Sequence, residues 1–138
     1  MASQSGFAKQ SPSAAGNSAT IKQMYEKLTE ALQEAEPLIA SRGWTQPTTA
    51  TVEAAERLLK LVAKHQRQPT VQVDPTGTIS FEWEAADHGW LTLTVNDHGQ
   101  LTHGAVLGED EFTQTEAFSD ELPDWANSLL QRLLAAGH

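Results

Sequence analysis

Cysteine is absent from the 138 residues, and with it go disulfide staples, a thiol nucleophile, thiolate zinc sites and iron–sulfur clusters. Long apolar runs are missing as well. No stretch approaches the roughly 18 consecutive apolar residues that a membrane span requires, and the N-terminus lacks the basic-then-apolar layout of a signal peptide. The expectation is a cytoplasmic protein with no membrane partner. Basic residues are scarce in one half of the chain. Residues 1–67 hold eight Lys and Arg against six Asp and Glu, whereas residues 68–138 hold Arg132 alone against twelve acids, so the halves carry +2 and −11 within an overall −9. Between Gln68 and Gln131 there is neither Lys nor Arg. An excess of acid repels phosphate and argues against a nucleic-acid partner. It suits a basic protein partner drawn by complementary charge, with plain solubilisation as the alternative role for the same acids.

Catalytic signatures are missing in the same way. There is no Gly-x-Ser-x-Gly elbow, no phosphate-cradling glycine loop and no His-Glu-x-x-His, so neither a nucleotide, a serine nucleophile nor a zinc ion has the residues it needs. No cofactor is expected. The pairs Asp87-His88-Gly89 and Asp97-His98-Gly99 offer metal-ligand types, but they fall at opposite ends of one strand rising about 3.3 Å per residue and cannot share an ion. Both read as turns.

What is present is periodicity. Residues 1–19, rich in Ser, Gly, Ala and Gln, show no period and read as a disordered tail; residues 20–138 read as one α+β domain. Ile21, Met24, Tyr25, Leu28, Leu32, Ala35 and Ile39 form a helical stripe, with a kink or end expected near Glu36 because Pro37 lacks an amide hydrogen, and Gly43 as a second stop. A second helix is expected over residues 49–65, its inner face Val52, Ala55, Leu58, Leu59 and Val62.

From Thr70 the period changes from 3.6 to 2, and Pro75-Thr76-Gly77, Asp87-His88-Gly89 and Asp97-His98-Gly99 punctuate it. Treated as three-residue hairpin loops, they pair Val73 with Ile79, Trp83 with Leu93 and Val95 with Leu101. One face then becomes apolar: Val71, Val73, Ile79, Phe81, Trp83, Leu91, Leu93, Val95, Leu101 and Ala105, with His103 at its edge. The predicted sheet is a four-stranded antiparallel meander over residues 70–73, 78–85, 90–95 and 100–107. Residues 108–121, rich in acids, read as a loop or a loop with one poor strand. Pro123 opens a C-terminal helix that packs on the apolar sheet face through Trp125, Leu129, Leu130, Leu133 and Leu134.

Three segments carry a resemblance: Gly43-Trp44 with Pro47 before a Leu-rich helix, the strand Gly77-Thr78-Ile79-Ser80-Phe81-Glu82-Trp83, and Phe118 with Glu121-Leu122-Pro123. In these the chain, over residues 43–134, resembles a family of small uncharacterised bacterial proteins. Thr45 stands where that pattern has Asp after Gly-Trp. The resemblance implies a compact bacterial α+β protein and brings no catalytic residue or cofactor with it.

Alternation places Glu82, Glu84, Trp90, Thr92 and Thr94 on the outer sheet face, with Glu82 opposite Thr94 and Glu84 opposite Thr92 in the same register. An outward Trp amid Thr and Glu is a flat anchor with polar surroundings. Together with Glu109, Asp110 and Glu111 these residues form the candidate binding surface. The expected function is a non-catalytic protein-binding or regulatory module, monomeric or homodimeric, engaging a basic protein partner. The alternatives are a small hydrolase-like enzyme using a carboxylate pair, or a homodimeric structural protein.

Overall fold

The computed structural model describes residues 12–63, 68–84, 89–118 and 121–136. Their order is α1 (Pro12–Arg42), α2 (Thr49–Val62), β1 (Thr70–Val73), β2 (Ile79–Glu84), β3 (Gly89–Val95), β4 (Gln100–Leu107), β5 (Asp110–Ala117) and α3 (Asp124–Ala136). The strands form one antiparallel sheet in the order β1-β2-β3-β4-β5. The α+β class, the two leading helices and the closing helix agree with the sequence reading; the sheet has five strands, not four.

α1 begins at Pro12, eight residues before the expected start, so residues 12–19 belong to a helix rather than to the tail. Residues 1–11 lie outside the described residues. Proline suits a first helical position, and a helix already nucleated by packing extends at low cost through Ser and Ala. Nor does the helix stop near Glu36. It passes through Pro37 and ends at Arg42, before Gly43. The ring removes a single bond to the carbonyl four residues back, on exposed Gln33 where water can replace it, while packing holds the flanking turns. Met24, Leu28, Ala31 and Ala35 are its buried stripe.

α2 is capped by Thr48, whose Oγ1 accepts from the Thr51 amide at 3.2 Å. It buries Ala55, Leu58, Leu59 and Val62 as the stripe requires, with Thr51 and Ala54 in addition, and Val52 only partly. α3 follows Pro123, whose carbonyl accepts from the Asn127 amide at 3.1 Å. It buries Ala126, Leu129 and Leu130. α1 lies against β1, α2 against β2 and β3, and α3 against β3 and β4. The helices therefore cover one sheet face, and Ile79, Phe81, Trp83, Leu91, Leu93, Val95, Leu101 and Ala105 fill the space between.

Two of the three hairpin registers match expectation. Val73 faces Ile79, and Val95 faces Leu101. In the first, the Gly77 amide donates to the Asp74 carbonyl and the Asp74 amide to the Thr78 carbonyl, both at 2.9 Å. In the second, Asn96 rather than Asp97 supplies the side chain that orders the turn, its Oδ1 accepting from the amides of His98 and Gln100 at 2.9 and 3.2 Å. Between β2 and β3 the register differs: Trp83 faces Leu91, not Leu93, and Glu84 faces Trp90. The offset is two residues, which preserves side-chain parity, so the apolar pattern fits both registers equally well. The loop residues 85–88 lie outside the described residues.

β5 occupies most of the acidic segment that reads as a loop or a loop with one poor strand. Gly108, at φ +67°, and Glu109 form a two-residue turn between Leu107 and Asp110. A positive φ at the first turn position is what primed hairpin turns require and glycine supplies.

Candidate functional site

The face away from the helices is built from alternate residues of all five strands, and the register arranges them in rows. Glu84, Trp90, Val106 and Glu111 lie across four strands in one row, roughly 14 Å from end to end at about 4.8 Å per strand. The next row is Thr70, Glu82, Thr92, Gly104 and Thr113; the one beyond is Gln72, Ser80, Thr94, Thr102 and Thr115. Glu82 is thus opposite Thr92 and not Thr94, and Glu84 opposite Trp90 and not Thr92, as the two-residue register difference demands.

Trp90 is 45% exposed. With Thr70, Glu82 and Glu84 it lines a concavity of about 290 Å³. This is a dip in an open sheet face, not an enclosed chamber, and suits a partner's side chain better than a buried small molecule. Hydroxyl pairs run along the next row but one from Trp90. Ser80 Oγ donates to Asp74 Oδ2 at 2.7 Å and lies 2.8 Å from Thr94 Oγ1, while Thr102 and Thr115 hydroxyls are 2.9 Å apart. Thr78 Oγ1 donates to the same Asp74 oxygen at 2.8 Å. These bonds anchor the sheet corner beside the concavity without using Glu82 or Glu84.

The structure brings Glu82, Glu84, Trp90, Thr92 and Thr94 onto one face and adds Glu111 to Trp90's row. It does not unite the three consecutive acids. Glu109 is in the turn, and Asp110 has the parity of the helix-covered face; all three are exposed. Val106 enters the Trp90 row through the β3–β4 register, whereas Glu111 enters it only through β5. The signal for β5 was Gly-Glu as a turn followed by Thr113 and Thr115 at alternate positions.

A second feature lies on the other side. His103 is 3% exposed on the covered face, opposite Leu93, as its parity predicts. Burial lowers its pKa below the ordinary 6.5, and a hydrogen bond with the Gln114 backbone opposes that shift. It borders a groove of about 600 Å³ between β5 and α3, with residues 111–114 on one side and Ser128 and Leu129 on the other. No group of three or more His, Asp and Glu able to hold a metal ion exists among the described residues. His98 Nε2 lies 3.4 Å from Asp97 Oδ1 on an exposed turn. His88 lies outside the described residues.

Two of the segments that carry the sequence resemblance meet in space: the Thr45 amide donates to the Pro75 carbonyl at 2.9 Å, seating the Gly43-Trp44 segment on the turn that ends at Gly77. No family model, curated protein or solved structure matches the chain. Among the described residues no helix is long and apolar enough to cross a membrane.

Proposed function

We propose that this is a non-catalytic, cytoplasmic binding module whose uncovered sheet face engages a basic protein partner. The observation that supports it is the composition of that face: half-exposed Trp90 stands among Glu82, Glu84, Thr92 and Thr94, with Glu111 in its row and no Lys or Arg in any strand. A Trp that loses water on contact, ringed by polar groups that a partner can satisfy, is how interface anchors are built. The acids choose a cationic partner and repel phosphate.

Immobilised protein is exposed to a bacterial lysate, the source that the sequence resemblance recommends, and retained proteins are identified by mass spectrometry. A specific basic protein should be captured by the natural chain, lost by Trp90→Ala and weakened by Glu82→Gln with Glu84→Gln. Capture indifferent to all three substitutions, or no specific capture, sinks the reading.

A further inference from the structure

We propose that the free edge of β5 is a second docking surface, one that takes an extended basic peptide as a sixth strand with one apolar side chain seated in the groove beside α3. Among the described residues β5 has β4 as its only strand neighbour, and every residue of β5 except Glu116 is exposed. The Phe118 amide donates to the Gly99 carbonyl at 2.8 Å. Because antiparallel ladders alternate, residues 110, 112, 114 and 116 turn their backbone groups to β4 as well, and Glu111, Thr113, Thr115 and Ala117 turn theirs outward. An extended peptide can use that outward row of donors and acceptors directly.

The groove gives the edge selectivity. It runs under residues 111–114 of the same strand, and Phe112, 37% exposed, and Leu129 supply its apolar surface, with His103 behind them. At about 600 Å³ it holds a large side chain. The added strand points alternate side chains to the two faces, so one of them enters the groove while its neighbours meet the open face.

Charge selects the occupant. Asp110, Glu111 and Glu116 line β5, and Glu109 precedes it, with no Lys or Arg in the strand; the Arg57 guanidinium sits beyond its far end, 5.8 Å over the Phe118 ring. A second copy of the chain is the wrong partner: β5 paired with itself about Thr113 sets Asp110 against Glu116 at both ends, and like charges directly opposite destabilise a strand pair. A peptide with Lys or Arg opposite Asp110, Glu111 and Glu116 replaces that repulsion with attraction. The surface shares Glu111 with the Trp90 row but uses none of Thr70, Glu82, Glu84 or Trp90, which line the other concavity.

The probe is a fluorescent synthetic peptide, Lys-Thr-Thr-Thr-Leu-Lys-Lys, titrated into the full chain and followed by anisotropy and by amide shifts. Run antiparallel to β5, it sets Lys opposite Glu116, Glu111 and Asp110 and Leu opposite Phe112 at the groove. Binding should perturb and protect the amides of Glu111, Thr113, Thr115 and Ala117. N-methylation of the peptide at the positions facing β5 should weaken it about tenfold or more by removing ladder bonds. Thr113→Pro should do the same, since proline is tolerated on an edge strand whose amide faces solvent; the N-methylated peptide tests the natural chain and needs no variant to fold. Trp90→Ala should leave the affinity unchanged. No binding, equal binding of the N-methylated peptide, shifts centred on Trp90, or a dimer of the protein alone that Thr113→Pro dissociates would each overturn the proposal.

Discussion

At the scale of single residues, two glycines with similar backbones have different consequences. Gly77, at φ +85°, has no room for a Cβ: it would meet Thr45 Cγ2 at 2.9 Å and the Thr45 Cβ and carbonyl oxygen at 3.2 Å. Gly108, at φ +67°, has nothing within 4 Å. Both Ala substitutions carry the left-handed penalty of about 1–2 kcal/mol, but Gly77→Ala must also push Thr45 away and threatens its bond to Pro75. Urea denaturation should show Gly77→Ala the more destabilising by about 1 kcal/mol or more; equal losses would mean that the Thr45 segment yields freely. His103 makes a prediction of opposite character. Its folded pKa is lowered from 6.5 by burial, so below that value the unfolded chain takes up a proton that the folded chain resists. Its contribution is therefore fully present above pH 6.5 and lost as pH falls toward the folded pKa. The urea midpoint of the natural chain should fall between about pH 7.5 and about pH 5 more steeply than that of His103→Leu, and parallel profiles would remove His103 from the pH response.

Elements obey the same rule of parity, and the two tryptophans of the central hairpin show it. Trp83 is 1% exposed and Trp90 45% exposed, on adjoining strands but opposite faces. Trp83→Ala should cost about 3–5 kcal/mol of stability, as large core deletions do. Trp90→Ala should cost well under half of that while abolishing partner binding, and a comparable loss of stability at both would show Trp90 to be structural. This alternation made most of the sheet legible from sequence: the apolar set on β1 to β4, the outward Trp90 with Glu82 and Glu84, and the turns at Gly77 and Gly99 all follow from a period of two and from turn chemistry. What escaped has physical causes. A two-residue slip leaves every side chain on its own face, so Trp83 fits Leu91 or Leu93 equally by pattern. β5 lies beyond the main helix cover, so its inward positions Asp110, Gln114 and Glu116 need not be apolar, and backbone bonds to β4 hold it instead. α1 runs through Pro37 because tertiary packing outweighs one missing hydrogen bond.

For the molecule as a whole, the charge asymmetry between the halves of the sequence becomes an asymmetry between two faces. The helices set Lys22, Lys27, Arg42, Arg57, Lys60 and Arg132 against seven acids and are close to neutral, while the strands carry five acids and no Lys or Arg. The field therefore runs from the helix layer toward the open sheet, and an approaching cationic protein is turned toward Trp90 before contact. Steering of this kind acts on the association rate and is screened over about 8 Å at physiological ionic strength. Once the partner captured on the Trp90 face is in hand, stopped-flow mixing should show its association rate falling about tenfold or more between about 50 mM and about 500 mM salt, with dissociation changing far less. Glu82→Gln, Glu84→Gln and Glu111→Gln combined should lower the low-salt rate and flatten that slope, whereas Trp90→Ala should leave the slope and speed dissociation, because the ring acts only after contact. An association rate indifferent to salt would leave the acids without a steering role and assign the recognition to Trp90 and its threonine neighbours alone.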